Sequence, residues 1–449
     1  MKLNQLIPFI FMLCCFKISA IEYIYTVDTG YENTNNITQR FDGPRGRVMD
    51  YGLGFNLTNS LQKEWKLDLS GQISSSHYSD NDLSNDTRKT LQGIAIYQSS
   101  ISNFAFTTLA DISQAPANRF QTQEVNNTRD QNVYAVMPSY YYAVNSSDRM
   151  LASYTFVDFN IEGVEDVQAG QARSSTGQSF LVNYAKRLNT TNVIAFNVRS
   201  GQTDFDDDLI FGNGVTQQAV DYDQIDVFLS WVVAGQANQL QFELGKSEID
   251  DQLDRNQSRD SRLVSITRQV NRTNALALSY AEGFNSSLSN IQATNTITVN
   301  QQNNNIAAAQ ESEQYSFRYT ISESRLDTNI NISSTKLRQT FTENIEERKM
   351  VSISMRYFLS RFMEISGRSS ILINYSKSKS EFDSDISNIR SNEIKAYGIT
   401  FNYIYSSNLM FALSYNIRDA LQVDMSNFQS IADSKSTLFT VVYSDRGRF

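Results

Sequence analysis

Cysteine is the first thing this chain lacks. Its 449 residues contain two, Cys14 and Cys15, and both lie within the first twenty. Past that point no disulfide framework can form, and neither can a zinc site of the Cys/His kind or a Cys-x-x-Cys-His haem attachment. His77 is the sole histidine. Proline is scarce as well, with four in the whole chain. After the first twenty residues no apolar run approaches the length of a spanning helix. With a mean hydropathy of -0.39, a bundle of membrane helices is excluded. Basic charge is in deficit, 39 Lys and Arg against 48 Asp and Glu for a net charge of -9. That balance argues against a nucleic-acid partner. Neither a P-loop nor a dinucleotide fingerprint is present.

What the chain has in abundance is alternation. In residues 394–418, Tyr397, Ile399, Phe401, Tyr403 and Tyr405 alternate with Gly398, Thr400 and Asn402. A break at Ser406-Ser407-Asn408 follows, and then Leu409, Phe411, Leu413, Tyr415 and Ile417 alternate with Ala412, Ser414, Asn416 and Arg418. A period of two means extended strands with one apolar and one polar face. Two such runs across a short turn make a hairpin. The unit recurs from Tyr23, Tyr25 and Val27 onward, through Tyr51, Leu53, Phe55 and Leu57, to Tyr315, Phe317 and Tyr319 and to Val351, Ile353 and Met355.

The connections are of two kinds. Short ones read Asn145-Ser146-Ser147-Asp148, Asn189-Thr190-Thr191-Asn192 and Asn271-Arg272-Thr273-Asn274. Long polar ones lie at residues 118–131, 204–220, 250–261, 286–310 and 422–434, and the two kinds alternate. That is the pattern of an up-and-down membrane barrel, tight turns on one side and long loops on the other. The count is about 20 strands (18 to 20), with both termini on the short-turn, periplasmic side. Strands of roughly 12 to 16 residues exceed what lipid requires, so the walls should project beyond it. Pro138, within a strand, predicts a bulge. A string of soluble sandwiches would need linkers and composition shifts, and none interrupts the pattern. The fold expected is therefore all-β: a single large transmembrane antiparallel up-and-down β-barrel over residues 21–449. Ahead of it, residues 1–20 read as a signal peptide, with Lys2, an apolar core over 6–16 and Ile18-Ser19-Ala20 before the cut.

With these features the chain resembles the bacterial outer-membrane β-barrel (porin-like) superfamily. Phe449 resembles the terminal aromatic of such proteins, with Phe439, Val441 and Tyr443 in the same alternating register. The resemblance implies recognition by the barrel assembly machinery through these residues, although Asp445 and Gly447 depart from the pattern. More narrowly, Tyr31-Glu32-Asn33-Thr34-Asn35 and Tyr357-Phe358-Leu359-Ser360-Arg361 are similar to stretches of barrels associated with exopolysaccharide and exosortase (PEP-CTERM) systems. That likeness implies a conduit or scaffold for envelope polysaccharide. The barrel resemblance places the chain in the outer membrane of a Gram-negative bacterium, among membrane lipids and lipopolysaccharide.

Little else carries chemistry. Ser74-Ser75-Ser76-His77 hints at a hydrolase, but triads are defined by geometry rather than by sequence neighbours. No catalytic residue and no cofactor is expected. Asp204, Asp206, Asp207 and Asp208, like Asp250, Asp251 and Asp254, have the hard oxygens that Ca²⁺ or Mg²⁺ take; as solvated loops they need no metal, and none is assigned. Trp65, Trp231, Tyr357, Tyr403 and Tyr405 lie beside short connections and read as an interfacial girdle. Lys66, Asp68, Arg199, Asp226, Glu243, Arg318 and Arg356 alternate with apolar residues and so should point inward. A barrel of this width has room for a water-filled lumen, without a preceding plug segment in the sequence. Three functions are open: a pore for small solutes, a polysaccharide conduit, and a non-conducting sheath for a partner protein. Mixed inward charge leaves the ion preference open, and the loop at 286–310 is long enough to fold inward or to stand as an outer tip.

Overall fold

Alternating apolar and polar residues, rich in Tyr, Phe, Ile, Thr and Ser, favour extended backbone because each pleat presents successive side chains to opposite faces. A computed structural model of the chain describes residues 21–36, 45–59, 64–79, 86–116, 128–161, 174–205, 209–210, 216–217, 221–252, 255–285, 310–339, 345–359, 368–383, 389–424 and 429–448. The strands in order are β1 (Glu22–Thr34), β2 (Gly46–Asn59), β3 (Trp65–Tyr78), β4 (Asp86–Gln98), β5 (Phe104–Pro116), β6 (Thr128–Ala143) and β7 (Asp148–Ile161). Next come β8 (Ser175–Arg187), β9 (Asn192–Phe205), the short pair β10 (Leu209–Ile210) and β11 (Thr216–Gln217), β12 (Tyr222–Ala234), β13 (Asn238–Asp251), β14 (Asn256–Gln269) and β15 (Asn274–Asn285). The last seven are β16 (Gln310–Ser322), β17 (Leu326–Gln339), β18 (Ile345–Phe358), β19 (Arg368–Asp383), β20 (Ile389–Ile404), β21 (Leu409–Asp424) and β22 (Gln429–Arg448).

All but β10 and β11 join one 20-stranded antiparallel sheet. Each long strand pairs with its sequence neighbours, and β9 passes directly to β12. The ladder closes where β22 meets β1, from Glu22 opposite Arg448 to Thr34 opposite Ser436. The single barrel expected from the alternation is what the chain forms. The expected signal peptide and Phe449 lie outside the described residues.

The register sorts the side chains. On one face Tyr25 stands opposite Phe55 and Val27 opposite Leu53, and Phe401 stands opposite Leu413 and Ile399 opposite Tyr415. These groups are exposed, as lipid-facing side chains are in the absence of lipid. The other face carries pairs such as Asp28 with Gly52, Thr400 with Ser414, and Asn56 with Ser70. A 20-strand closure leaves no free edge, so the ladder amides of the lipid zone are paired between neighbouring strands, apart from a lapse beside Pro138.

The barrel strands run from 12 residues in β15 to 20 in β22, beyond the roughly 9 to 11 that a membrane requires. Toward the long-loop ends the outward face changes from apolar to charged. Lys377 and Lys395 both reach Glu393, at 3.2 and 3.0 Å, and Lys349 lies 3.8 Å from Glu347. Exposed pairs of this kind stabilise little. Their value is as a marker of where the apolar band stops.

At the opposite ends, side-chain oxygens cap the tight turns. Asn145 Oδ1 accepts the amides of Ser147 and Asp148, both at 2.8 Å. Asn189 does the same for Thr191 and Asn192 at 2.9 Å, and Asn271 for Thr273 and Asn274 at 2.9 and 2.8 Å. These Asn-x-Ser/Thr triplets are thus turn chemistry, in which Asn mimics a backbone carbonyl. Ser406 Oγ plays that part for Asn408 and Leu409 at 3.3 and 3.1 Å.

Two local features depart from expectation. Pro138 does not produce a bulge. It faces Phe106 on β5, and toward β7 the pairing lapses between Val136–Phe156 and Ser139–Ser153 with no shift of register. The missing amide costs ladder bonds without inserting a residue, because the same number of residues separates the pairs on both strands. At Gly283, φ is +154°, a value that suits glycine. Just before it, at Glu282, the pairing of β15 with β14 ends. Phe284 there packs with Tyr222 and Ile249 of the inner face rather than continuing outward.

Two outcomes follow. Leu413→Arg, on the lipid face, should cost about 2–4 kcal/mol near the bilayer midplane, while Ser414→Arg on the inner face should cost far less. Urea unfolding in lipid vesicles measures both, and equal losses would refute the assignment of faces. Asn271→Ala removes three turn hydrogen bonds, two of them from backbone amides, and should cost about 1–3 kcal/mol in the same assay.

Candidate functional site

The inner wall is the part of a barrel that chemistry can reach, and it is built from alternate residues of each strand. Lys66 and Asp68 stand opposite Ile96 and Ile94 of β4, on the face away from Trp65, Leu67 and Leu69, and both are exposed. Arg199 and Asp226 are directly opposite across β9 and β12. Glu243 lies on the same face of β13, opposite Ser230. Arg318 stands opposite Ala277 and Asn331, and Arg356 opposite Asp327 and Leu372. All seven inward candidates therefore share one face, although they do not form one cluster.

The structure brings only two of them together. Arg199 donates to Asp226 Oδ2 from Nε at 2.6 Å and from Nη2 at 2.5 Å. Gln224 Nε2 donates to both oxygens of that carboxylate, at 2.9 and 3.1 Å, and the Ser247 hydroxyl donates to it as well. The Asp226 side chain retains 5% of its exposure. A carboxylate so enclosed is tolerable because several donors replace its water. Glu243 accepts from Gln241 at 3.0 Å. Nothing else in the described part of the chain pairs with Lys66, Arg318 or Arg356 as an ion.

One sector of the inner wall is apolar, against the expectation of a polar lining throughout. Leu109, Val133, Ala135, Met137, Val157, Phe159 and Ile161, from β5, β6 and β7, form a buried cluster. The register places them on the inner face, since Phe106, Tyr140 and Phe156 occupy the outer one. The signal was present in the sequence: in Val133–Met137 both alternate sets are apolar. Where a strand is buried on both faces, alternation disappears. The inner wall is therefore asymmetric, apolar and packed along β5–β7 and mostly polar along β16–β18, where Gln314, Arg318, Asn329 and Arg356 are exposed.

The five girdle candidates lie near the short turns. Trp65 packs on Tyr97 with ring centroids 4.5 Å apart, and Trp231 on Phe242 at 5.7 Å. Tyr403 stacks on Phe411 at 6.5 Å, and Phe411 on Phe439 at 6.4 Å. Tyr357 faces outward opposite Ile371. Tyr405 sits in the turn itself, its amide donating to Leu409 O at 3.0 Å. Phe439, Val441 and Tyr443 of β22 share the outward face, opposite Tyr31, Thr29 and Val27.

The Ser/His stretch does not assemble a nucleophile. Ser76 Oγ donates to Asp50 Oδ1 at 2.6 Å on the inner face, whereas His77 alternates to the outer one opposite Met49. Among the described acidic residues, Asp251 pairs with Arg255 at 2.6 Å, Asp250 accepts from Asn256, and Asp204 accepts from Gln202 at 3.0 Å. No cluster of three or more potential metal ligands occurs among the described residues. Asp206, Asp207, Asp208 and Asp254 lie outside them.

This closed, antiparallel, inside-out wall is the fold of the bacterial outer-membrane β-barrels. A mutant ferric enterobactin receptor from Pseudomonas aeruginosa, in complex with enterobactin, is similar over 95% of this chain and 81% of that one, with a TM-score of 0.50 at 10% identity. The siderophore receptor PirA from Pseudomonas aeruginosa is 11% identical over 95% and 80%, with a TM-score of 0.44. The ferric citrate transporter FecA, in its unliganded form, is 8% identical over 94% and 78%, with a TM-score of 0.47. No family model matches the chain, and no curated protein matches it by sequence. At such identities the likeness speaks for the fold alone.

Removing one member of the inner ion pair is the test of this site. Asp226→Leu strands Arg199 and should cost about 3–5 kcal/mol. Adding Arg199→Met to it should recover most of that loss in urea unfolding. A double variant as unstable as the single one would show that the pair is not the source of the cost.

Proposed function

We propose that this chain resides in the outer membrane of a Gram-negative bacterium, with its short turns in the periplasm, and that its lumen passes small hydrophilic solutes. The observation that carries this reading is a closed wall whose inward charges, Lys66, Asp68, Arg318 and Arg356, are exposed to solvent. Charges held inside a barrel and left in water line a path that water and polar solutes can share. Twenty strands fall between the 16 to 18 of water-filled porins and the 22 of plugged transporters. The apolar sector along β5–β7 narrows the path without removing the polar side. In this reading the girdle of Trp65, Trp231, Tyr357, Tyr403 and Tyr405 marks the periplasmic interface. The outward Phe439, Val441 and Tyr443 are the segment offered to the assembly machinery.

Liposome swelling tests the proposal. Vesicles carrying the refolded protein should swell in isotonic arabinose faster than empty vesicles, and more slowly in a large oligosaccharide. Vesicles that exclude every solute, with protein that is heat-modifiable in gels and rich in β-structure, would overturn it in favour of a sheath around a partner.

A further inference from the structure

Cations on the inner wall are treated differently at the two ends of the barrel. Toward the long loops three are neutralised: Arg199 by Asp226, Arg255 by Asp251 at 2.6 Å, and Arg348 by Glu346 at 2.5 Å. Toward the short turns five are not. Lys66 and Arg149 are the second residues of β3 and β7, and Arg187 is the last of β8. Arg318 and Arg356 lie within five residues of the ends of β16 and β18. The register puts all five on the inner face. Arg149 stands opposite Ala143 and Ala185, and Arg187 opposite Val193, while Met150 and Tyr184 point outward. All five are exposed, and none forms an ion pair among the described residues. On the same face at that end, Glu22 is held by Arg446 at 2.7 Å, which leaves Asp68, Asp327 and Glu243, five residues into β13, as the carboxylates without an ion pair among the described residues. Among the described residues, five unpaired cations therefore face three unpaired carboxylates around this mouth, an excess of positive charge in a chain whose net charge is -9.

A ring of like charge at a water-filled constriction sets up a potential that concentrates ions of the opposite sign. Arginine, which makes up four of the five, also matches carboxylate and phosphate oxygens with its planar fork of donors. We propose that the short-turn mouth is an anion-collecting vestibule, and that the solutes of this pore are small organic anions bearing carboxylate or phosphate groups. The proposal rests on the pore reading above and adds the substrate class. The field reaches about 10 Å at 0.1 M salt, so the preference weakens as ionic strength rises.

Reversal potentials in planar bilayers under a dilute KCl gradient provide the test. The unmodified barrel should prefer chloride over potassium several-fold. A variant carrying Arg149→Gln, Arg187→Gln, Arg318→Gln and Arg356→Gln should bring that ratio to one or below, whereas Lys379→Gln on the outer face should leave it unchanged. Cation preference in the unmodified protein, or a ratio unmoved by the four substitutions, would overturn the proposal. A channel that is silent although folded would instead count against the pore reading, and calorimetric titration with tripolyphosphate in detergent then reads the vestibule by itself. Binding that falls at least ten-fold in the four-fold variant, with heat-modifiability intact, supports the vestibule. Absent binding, or equal binding by both proteins, refutes it.

Discussion

Backbone amides that face hydrocarbon have no water to bond, and this single constraint governs the molecule. A strand can cross a membrane only if both of its edges are paired, so the sheet has to close on itself. The seam between β1 and β22 is where closure is completed, by thirteen paired positions joining the two ends of the described chain. Antiparallel pairing of sequence neighbours then follows from the tight turns, which a side-chain oxygen of Asn or Ser holds in shape. Most of the remaining structure is a consequence of which side chains each pleat sends in or out.

Those two faces are under opposite demands. Outward positions are aromatic and aliphatic through the lipid zone and become ion-paired where the strands rise out of it. Inward positions are not uniform. Along β5–β7 they pack as a core would, and at Asp226 they bury a carboxylate within a set of donors. At Arg318 and Arg356, and at the other short-turn ends, charged ones stay exposed. This asymmetry decides which inward charges are buried and which are exposed.

Much of this could be read from the residues alone. A period of two is a backbone property, and it survives in Tyr397–Tyr405 or Leu409–Ile417 whatever the neighbours are. Short Asn-rich turns alternating with long polar loops give the strand count and the up-and-down order. The inward placement of Lys66, Asp68, Arg199, Asp226, Glu243, Arg318 and Arg356 also follows, because parity within a strand fixes the face once one lipid-facing residue is known. Pro138 was legible as a disturbance but not in kind, since a gap and a bulge differ only in the partner strand.

Register, closure and pairing were decided by the tertiary structure. Arg199 and Asp226 are 27 residues apart in the chain, and no local pattern says that β9 meets β12 with those two opposite. Arg318 has the same local sequence character as Arg199, yet its ladder neighbours are Ala277 and Asn331, so its charge remains free. Alternation is a property of one strand and is written in its residues. Neutralisation is a property of two strands and depends on their register. Which inward charges are neutralised could therefore emerge only after the ladder had closed.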